Sequence, residues 1–207
     1  MNAIEGVVLI VDDESSVRES LSEMLSTAGI ASVCYDNGQS LLDSSLPDGP
    51  ACLLLDLRLP GEDGIIVQDA LSRRDPKLPI IFLSGDADVP SAVTALKHGA
   101  FDFLEKGSFL PDQIIACVAS ALRAHKLSLD RRQRQSVIRG QLDLLTPREK
   151  QVARLVAAGN ANKVVAIELG ISERTVEIHR RNLMQKLNLH SVTELAKLAT
   201  QFKELRR

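Results

Sequence analysis

The sequence predicts an α/β domain built on a parallel sheet, followed by a smaller all-α domain of four helices. Four short apolar runs in the amino-terminal half are separated by amphipathic stretches. Apolar runs of this length are typical of buried parallel strands that alternate with helices. After residue 143, several helix-start signals lie close together. Their spacing predicts the second, helical domain.

Each predicted strand leads into polar residues. The strands are residues 7–11, 51–55, 79–83 and 101–104. The polar residues after them are, in chain order, Asp12, Asp13 and Glu14, then Asp56, then Ser84, then Glu105 and Lys106. Ligands of open parallel sheets bind outside the carboxyl ends of the strands. We therefore expect three carboxylates, one hydroxyl and one ammonium group to converge on one rim of the sheet; these belong to Asp12, Asp13, Asp56, Ser84 and Lys106.

This set of side chains is suited to phosphoryl transfer. Clustered carboxylates repel one another unless a cation neutralises them, and Mg²⁺ prefers hard oxygen ligands. One carboxylate could then attack phosphorus, as in enzymes that form an aspartyl phosphate. Lys106 would offset charge on the phosphoryl oxygens, and Ser84 would hydrogen-bond one of them. Any single residue of the set is an ordinary polar strand end, but five at four successive strand ends indicate a site.

Residues 1–122 resemble the receiver domains of two-component response regulators. The matching segments are Asp12-Asp13, residues 55–61 (LDLRLPG), Ser84-Gly85 and residues 103–106 (FLEK). The resemblance implies a flavodoxin-like (βα)5 fold with a parallel five-stranded sheet. It also implies that Asp56 is the phosphoacceptor and that a phosphohistidine of a sensor histidine kinase is the donor.

The resemblance assigns roles to further residues. Asp13, Asp56 and the backbone carbonyl of Arg58 would bind Mg²⁺, with Asp12 acting on the metal mainly through water. Lys106 would contact the phosphoryl group. A switch pair, whose side chains rearrange after phosphorylation, is matched by Ser84 and Phe103.

One position departs from the receiver pattern. Receivers usually have a proline after the lysine, joined by a cis peptide bond, whereas Gly107 follows Lys106 here. A cis bond before a non-proline residue costs ~2.5–4 kcal/mol. We therefore predict a trans Lys106–Gly107 bond, with Lys106 still near the acidic cluster. Arg58 and Asp86 could also form an ion pair across the mouth of the site, or remain two independent solvated side chains.

Length and charge favour two domains with different partners. The 207 residues suit two modest domains, placed at residues 1–122 and 143–207 with a helical linker at residues 123–142. That linker is read either as an extension of the last receiver helix or as a solvated segment. Residues 1–120 contain 7 Lys+Arg and 19 Asp+Glu, a net charge of −12, and residues 121–207 contain 18 and 8, a net charge of +10. The asymmetry suggests that the second half meets a polyanion.

The cysteines and the apolar runs indicate the compartment. Cys34, Cys52 and Cys117 have neither metal-ligand spacing nor an even number, so we expect reduced thiols. Nothing at the amino terminus resembles a signal peptide, and no apolar run approaches membrane-spanning length. The expectation is a soluble cytoplasmic protein without a membrane partner.

Capping signals mark two helices of the second domain. Thr146, Pro147 and Glu149 form a complete capping box with proline at the first helical position. Ser191 and Glu194 repeat the Ser…Glu box. Each box predicts a helix that begins directly after its capping Thr or Ser.

Two more helices lie between these boxes. Asn162 is the predicted cap of a short helix through Leu169, which Gly170 would end in the left-handed conformation. Ser172 is the predicted cap of a longer helix to about Asn188. Two helices joined by a glycine-containing turn form a helix-turn-helix.

The second domain resembles the LuxR-type helix-turn-helix of response regulators of the FixJ/NarL class. The matching residues are residues 145–149 (LTPRE), Asn162-Lys163, residues 169–172 (LGIS), Thr175-Val176, His179 and Lys186-Leu187. The resemblance covers residues 145–199. It implies sequence-specific binding to promoter DNA.

Helical spacing separates the faces of the helix that follows Ser172. Val176, Leu183 and Leu187 should pack inward with Leu169. Another face has the donors, acceptor and apolar contact used to read the major groove; its residues are Arg174, Glu177, Ile178 and Arg181. Residues expected to contact phosphate, which positions the protein without specifying sequence, are Lys163, Thr175, His179 and Arg180. For His179, a buried structural role is an equal alternative.

The prediction is a two-component response regulator, in which phosphorylation of Asp56 with Mg²⁺ controls dimerisation, DNA binding and transcription. Its partners would be a sensor histidine kinase, promoter DNA, a second copy of the chain and, as a candidate, RNA polymerase. Dimers would form through residues 89–98 and 101–104, with a second contact through Leu195, Leu198 and Ala199 of the last helix. The protein would not be an enzyme beyond its own phosphorylation and autodephosphorylation.

Two alternatives are open. A haloacid-dehalogenase-type phosphatase also uses Asp, Ser/Thr and Lys at strand ends, but it needs an Asp-x-Asp motif on the first strand, where this chain has Asp12-Asp13-Glu14. It would also leave the helical domain unexplained. The other alternative is a DNA-binding regulator whose receiver-like half no longer accepts phosphate.

Overall fold

The computed structural model describes residues 5–60, 62–85, 89–108 and 110–204. These fold into two units, Met1–Leu129 and Asp130–Arg207. Within the described ranges, every helix is either too short or too polar to cross a lipid bilayer.

A five-stranded parallel sheet forms the centre of the first unit. The strands of this unit, in chain order, are β1 (Val7–Val11), β2 (Ala31–Tyr35), β3 (Ala51–Asp56), β4 (Arg58–Leu59), β5 (Glu62–Asp63), β6 (Ile80–Ser84) and β7 (Asp102–Glu105). The parallel sheet has the order β2-β1-β3-β6-β7, and β4 and β5 form a separate antiparallel pair. The predicted α/β fold with a parallel five-stranded sheet is confirmed.

Helices cover both faces of this sheet. They are α1 (Ser15–Thr27), α2 (Gly38–Asp43), α3 (Gly64–Arg74), α4 (Val89–Lys97) and α5 (Pro111–Asp143). Successive side chains of a strand point to opposite faces. Val8 and Ile10 therefore pack in a core with residues of α1 and α5, whereas Leu9 and Val11 pack in a second core with residues of α2, α3 and α4. The strands β1, β3 and β6 are buried on both sides, which explains their continuous apolar runs in the sequence.

The strand of the parallel sheet that the apolar runs did not reveal is β2. It lies at the edge of the sheet, and its side chains are half-buried or exposed. Val33, for example, is 44% exposed. Since an edge strand needs less apolar surface, β2 has no continuous apolar run.

The segment after residue 122 is helical. Helix α5 continues without interruption from Pro111 to Asp143. Of the two readings of this segment, a helical extension is the one observed. The helix ends at Asp143, one residue beyond the predicted linker.

Four helices follow in the second unit, as predicted: α6 (Pro147–Ala157), α7 (Asn162–Leu169), α8 (Glu173–Lys186) and α9 (Val192–Glu204). Both capping boxes are present: Thr146 Oγ1 accepts from the Glu149 backbone N–H, and Ser191 Oγ accepts from that of Glu194. The C-cap Gly170 has φ +64°, and Ser172 caps α8. The inward residues predicted for α8 lie in the core.

Two predictions for the second unit are wrong. The N-cap of α7 is Ala161, because Asn162 is already the first helical residue and its Oδ1 accepts a hydrogen bond from Arg180 Nη1 at 2.5 Å. Leu195 cannot contact a second copy of the chain, since it is 2% exposed and packs in the core of its own unit. Amphipathic spacing on α9 could not tell an inward face from a dimer face.

Candidate functional site

The pairing of β1 with β3 brings two acidic strand ends together. Val11 lies opposite Leu55 in the parallel register, so Asp12 and Asp56 follow from adjacent positions. One carboxylate oxygen from each of Asp12, Asp13 and Asp56 lies within 4.8 Å of the other two. Asp12 and Asp56 are buried and Asp13 is exposed. Three of the predicted site residues thus form one cluster.

Lys106 reaches this cluster from the end of β7. Its Nζ is 2.7 Å from Asp56 Oδ2 and 2.7 Å from Asp12 Oδ2. The backbone N–H of Lys106 donates to the carbonyl of Ser84, which fixes the start of the loop. The Lys106–Gly107 bond is trans, as predicted, and Gly107 has φ +81°. The ammonium group remains at the acidic cluster without the usual proline.

The two contacts of Lys106 differ in quality. The contact with Asp56 is a directed hydrogen bond. The contact with Asp12 has the distance of an ion pair, but Asp12 Oδ2 is buried and receives no well-directed hydrogen bond. An oxygen in this state retains lone pairs for a further ligand.

The pKa values of Asp12 and Lys106 are both raised, but for different reasons. Burial raises the pKa of Asp12 above its ordinary value and outweighs the nearby ammonium group of Lys106 and the hydrogen bond from the Glu14 backbone. Burial alone would lower the pKa of Lys106, but its contacts with the carboxylates of Asp12 and Asp56 together raise it above its ordinary value. The cluster brings three carboxyl groups to one ammonium group, and the raised pKa of Lys106 favours its charged form.

Backbone groups hold the carboxylates in place. The N–H of Glu14 donates to Asp12 Oδ1 and that of Arg58 to Asp56 Oδ1, both at 3.0 Å. At the start of α3, Gly64 approaches so closely that a Cβ there would lie 2.6 Å from the carbonyl oxygen of Asp56. Only glycine lets α3 begin against the strand that carries Asp56.

The donor set fits a hard divalent cation. All three clustered side chains offer carboxylate oxygens, and one buried oxygen has no directed hydrogen bond. Oxygen ligands of this kind suit Mg²⁺ rather than soft metals. The acidic cluster is thus consistent with a metal site.

The switch-pair residues lie on neighbouring strands. Ser84 ends β6 and is 1% exposed, and Phe103 lies in β7 opposite Phe82. Phe103 is half-buried against the core on the side of α2, α3 and α4. Arg58 lies in β4, whereas Asp86, its predicted ion-pair partner, lies outside the described residues.

The predicted base-reading face of α8 is exposed. Arg174, Glu177, Ile178 and Arg181 are all exposed, and Ile178 is 45% exposed although it is apolar. This face remains available for contact with a groove.

The predicted phosphate-contacting residues divide into two groups. Lys163 is exposed on α7. Thr175 and His179 are half-buried, and Thr175 Oγ1 shares a hydrogen bond with Ser172 Oγ at 2.7 Å. Arg180 is half-buried and engaged with Asn162. Arg180 thus joins α8 to α7, so its guanidinium group is less free to meet DNA than that of Arg181.

Some residues that shape these sites were missed by sequence reasoning. Arg18 binds the loop of the acidic cluster, and Lys186 Nζ binds Glu149 Oε2 at 2.8 Å. Arg148 Nη2 donates to the carbonyl of Leu169 at 2.6 Å. Lys186 and Arg148 lie within the matched motif segments, but a motif match does not show which carbonyl or carboxylate a side chain reaches.

Known families match both units. Residues 8–119 match the response regulator receiver domain, and residues 143–199 match the bacterial regulatory proteins of the luxR family. These ranges contain the acidic cluster and the α7–α8 segment, respectively.

Relatives of similar length align with most of this chain. The chain is 36% identical to the transcriptional regulatory protein FixJ of Bradyrhizobium diazoefficiens over 94% of this chain and 95% of the relative. It is 40% identical to the C4-dicarboxylate transport transcriptional regulatory protein DctR of Rhodobacter capsulatus, over 92% of this chain and 98% of the relative.

Two solved structures are also similar to this chain over most of its length. The response regulator StyR matches with a TM-score of 0.84 and 36% identity, over 95% of this chain and 99% of the other. Full-length FixJ from B. japonicum matches with a TM-score of 0.59 and 36% identity, over 97% of this chain and 98% of the other.

The two domains imply a kinase partner and DNA binding, and they are not those of a typical enzyme. With both units matched by their families and most of the chain aligned to regulators of this type, this chain belongs to the two-component response regulators that join a receiver domain to a LuxR-type DNA-binding domain.

Proposed function

We propose that Asp56 accepts a phosphoryl group from a sensor histidine kinase and that this modification controls DNA binding by the second unit. The observation that supports this most directly is the meeting of Asp12, Asp13, Asp56 and Lys106 at one rim of the sheet. Residues 1–122 would be the receiver, residues 123–142 the linker and residues 143–207 the DNA-binding domain.

In the proposed transfer, a carboxylate oxygen of Asp56 forms a bond to phosphorus. The bond between phosphorus and the imidazole nitrogen of the donor breaks, and that nitrogen keeps the electron pair. The ammonium group of Lys106 lies beside Asp56 at the end of a flexible side chain. It can therefore shift from the Asp56 carboxylate to a negatively charged phosphoryl oxygen. Ser84 would hydrogen-bond a phosphoryl oxygen, and Phe103 would rearrange with it.

Asp12, Asp13, Asp56 and the carbonyl of Arg58 would hold Mg²⁺, with Asp12 mainly through water. When bound, Mg²⁺ would supply positive charge that offsets repulsion between the carboxylates and the incoming phosphoryl oxygens. The exposed carboxylate of Asp13 gives the ion access from solvent.

For the second unit, we propose that α8 reads bases and that neighbouring residues hold phosphates. Arg174, Glu177, Ile178 and Arg181 would face base edges. The phosphate contacts would come from Lys163, Thr175, His179 and, to a lesser degree, Arg180. The protein would act in the cytoplasm, where promoter DNA lies, with RNA polymerase as a candidate further partner.

The test is to incubate the full chain with acetyl phosphate and Mg²⁺, and to measure phosphorylation by intact mass and DNA binding by titration. Asp56→Asn should abolish stable phosphorylation and leave the fold intact, because only the nucleophilic carboxylate is lost. Asp48→Asn is a matched control: it makes the same chemical change at an exposed site that precedes β3, away from the rim. If Asp56→Asn were phosphorylated to the wild-type extent, the nucleophile would be Asp12 or Asp13 instead.

The same experiment separates the alternatives. A phosphorylation-independent regulator would bind DNA equally with and without acetyl phosphate. A phosphatase would turn over phosphomonoesters continuously instead of retaining one phosphoryl group per chain. Either result would overturn the proposal.

A further inference from the structure

Arg18 on α1 binds the loop that carries two of the three clustered carboxylates. Its Nη1 donates to the carbonyl oxygen of Asp12 at 2.6 Å and to that of Asp13 at 2.9 Å. The side chain is half-buried, and the backbone N–H of Arg18 donates to Glu14 in the first turn of α1. One guanidinium nitrogen therefore ties the end of β1 to α1.

These bonds constrain where the two carboxylates can point. A hydrogen bond to a carbonyl restrains the plane of its peptide, and two consecutive restrained planes set the direction of the Cα–Cβ bond between them, which is that of Asp13. Asp12 is further held through its Oδ1 by the Glu14 backbone. Asp13 is exposed, so burial does not hold its side chain. Its direction depends more on the backbone that Arg18 fixes.

We propose that Arg18 is a positioning residue for the metal site: by binding the carbonyls of Asp12 and Asp13, it orients their carboxylates for a divalent cation. The inference rests on the proposed function of the acidic cluster as a Mg²⁺ site. Groups that orient metal ligands without touching the metal commonly change affinity ~10–100-fold when they are removed.

Charge and geometry predict opposite results for this residue. A cation beside a cation site repels the metal, so removing the positive charge of Arg18 alone would tighten Mg²⁺ binding. Removing the two carbonyl contacts frees the loop and would weaken binding, because the ligands must then be ordered when the metal binds. The sign of the change therefore shows which role Arg18 has.

The experiment is calorimetric titration of the unphosphorylated full chain with MgCl₂. Arg18→Met keeps the apolar stem and removes the donors, and we expect the Mg²⁺ dissociation constant to rise about 10-fold. Arg18→Lys keeps a donor and a charge and should recover part of the loss. Arg73→Met is the matched control, because Arg73 is exposed in the last turn of α3, at the end opposite to Gly64.

A second measurement excludes a merely structural effect. The initial rate of phosphorylation by acetyl phosphate is followed as a function of Mg²⁺ concentration. For Arg18→Met, the half-saturating Mg²⁺ concentration should rise about 10-fold, while the maximal rate stays near that of wild type. A lower maximal rate at an unchanged half-saturating concentration would contradict a positioning role at the metal site.

The remaining outcomes are also decisive. Tighter Mg²⁺ binding by Arg18→Met, or binding equal to that of Arg73→Met, would overturn the inference and leave the proposed function standing. Absence of Mg²⁺ binding by the wild-type chain would instead refute the proposed metal site itself. If Arg18→Met does not fold, Arg18→Lys decides, with weaker binding than wild type expected and equal binding overturning the inference.

Discussion

Arg181 and Lys163 are both exposed cations of the second unit, but we expect them to make different contacts with DNA. The guanidinium group of Arg181 can donate a bidentate pair to guanine in the major groove, whereas a lysine on α7 is suited to phosphate. Arg181→Ala should cost ~1–3 kcal/mol on the cognate site and relax preference at one base position in each half-site. Lys163→Ala should weaken binding to all sequences about equally. It should also reduce, by about 1, the magnitude of the slope of the logarithm of the DNA-binding constant against the logarithm of the salt concentration.

The measurement is a titration of both variants against cognate and scrambled duplexes at several salt concentrations. Arg154→Ala, which removes an exposed arginine from α6, controls for the loss of net charge. Glu177 would accept a hydrogen bond from a cytosine amino group. Opposite another base, its carboxylate would repel the DNA phosphates and weaken binding to that sequence. If Arg181→Ala lowers cognate and scrambled affinities by the same factor, the assignment of this face to base reading fails.

At the scale of elements, Glu149 connects α6 with α8. Its carboxylate accepts from the Thr146 backbone N–H in the capping box and from Lys186 Nζ. The hydrogen bond from Lys186 is the main cause that holds the pKa of Glu149 below its ordinary value, and burial opposes it. A depressed pKa means that the charged form stabilises the folded state.

Glu149→Gln should therefore destabilise the second unit by about 1 kcal/mol at pH 7, a modest cost because Lys186 is 39% exposed and partly screened. The stabilisation is fully present above about pH 4.5, the ordinary value for this carboxyl, and is lost as the pH falls through the lower folded value. Hydrogen exchange of amides in α6 and α8 at several pH values measures this difference. Glu168→Gln, at an exposed position of α7, is the control. A stability difference that persisted unchanged at acid pH would exclude the ionic contact as its source.

A second link between elements is made by His125 of α5. Its Nδ1 accepts from the backbone N–H of Ala51 at 2.9 Å, and its Nε2 lies 3.0 Å from Asp75 Oδ2. The ring is 2% exposed. Since Nδ1 accepts, Nε2 carries the hydrogen and donates to Asp75. One side chain thus joins α5 to the start of β3 and to the residue after α3.

His125→Ala should destabilise the first unit by about 2–3 kcal/mol, because the buried N–H of Ala51 loses its acceptor. His98→Ala is the control: His98 is 44% exposed and lies 3.6 Å from Asp69, a surface pair worth less than ~1 kcal/mol. Urea unfolding followed by the fluorescence of Tyr35, the one tyrosine of a chain without tryptophan, reports on this unit. Equal losses for the two variants would show that the buried contact adds no stability.

At the scale of the whole molecule, phosphorylation should favour dimers. The surface formed by α4, β7 and the residue before β7 has exposed apolar side chains, with Val93 at 42%, Leu96 at 48% and Phe101 at 40%. Phe103 of β7 adjoins this surface in sequence, so its rearrangement would alter it. Single exposed apolar residues are ordinary, but several on neighbouring elements favour association.

Sedimentation of the wild-type chain should show dimers with acetyl phosphate and Mg²⁺ and monomers without them. Leu96→Glu should accept phosphate but remain monomeric, because it places a charge in the proposed contact. Ile66→Glu, at a 59% exposed apolar position of α3, should dimerise like wild type. The same monomer fraction with and without phosphorylation would contradict a switch driven by the receiver.

Much of the fold and site could be predicted because the signals are local. The polar residues Asp12, Asp56, Ser84 and Lys106 lie at or just beyond the ends of the apolar strands, and the carboxyl ends of parallel strands share one rim. The caps at Thr146 and Ser172 likewise depend on residues three positions apart. The sequence of this chain by itself therefore determined its two domains, its acidic cluster and the exposed face of α8.

Contacts between distant residues were decided only by the tertiary structure. His125 and Ala51 are 74 positions apart, and nothing near either residue in the sequence indicates the other. Asn162 is of a residue type that often caps helices, but it is the first residue of α7, and its side chain accepts a hydrogen bond from Arg180. Leu195 had amphipathic spacing, which shows that a face is apolar but not what covers it. Local chemistry is encoded over a few residues, whereas the partner of a side chain depends on how the elements pack.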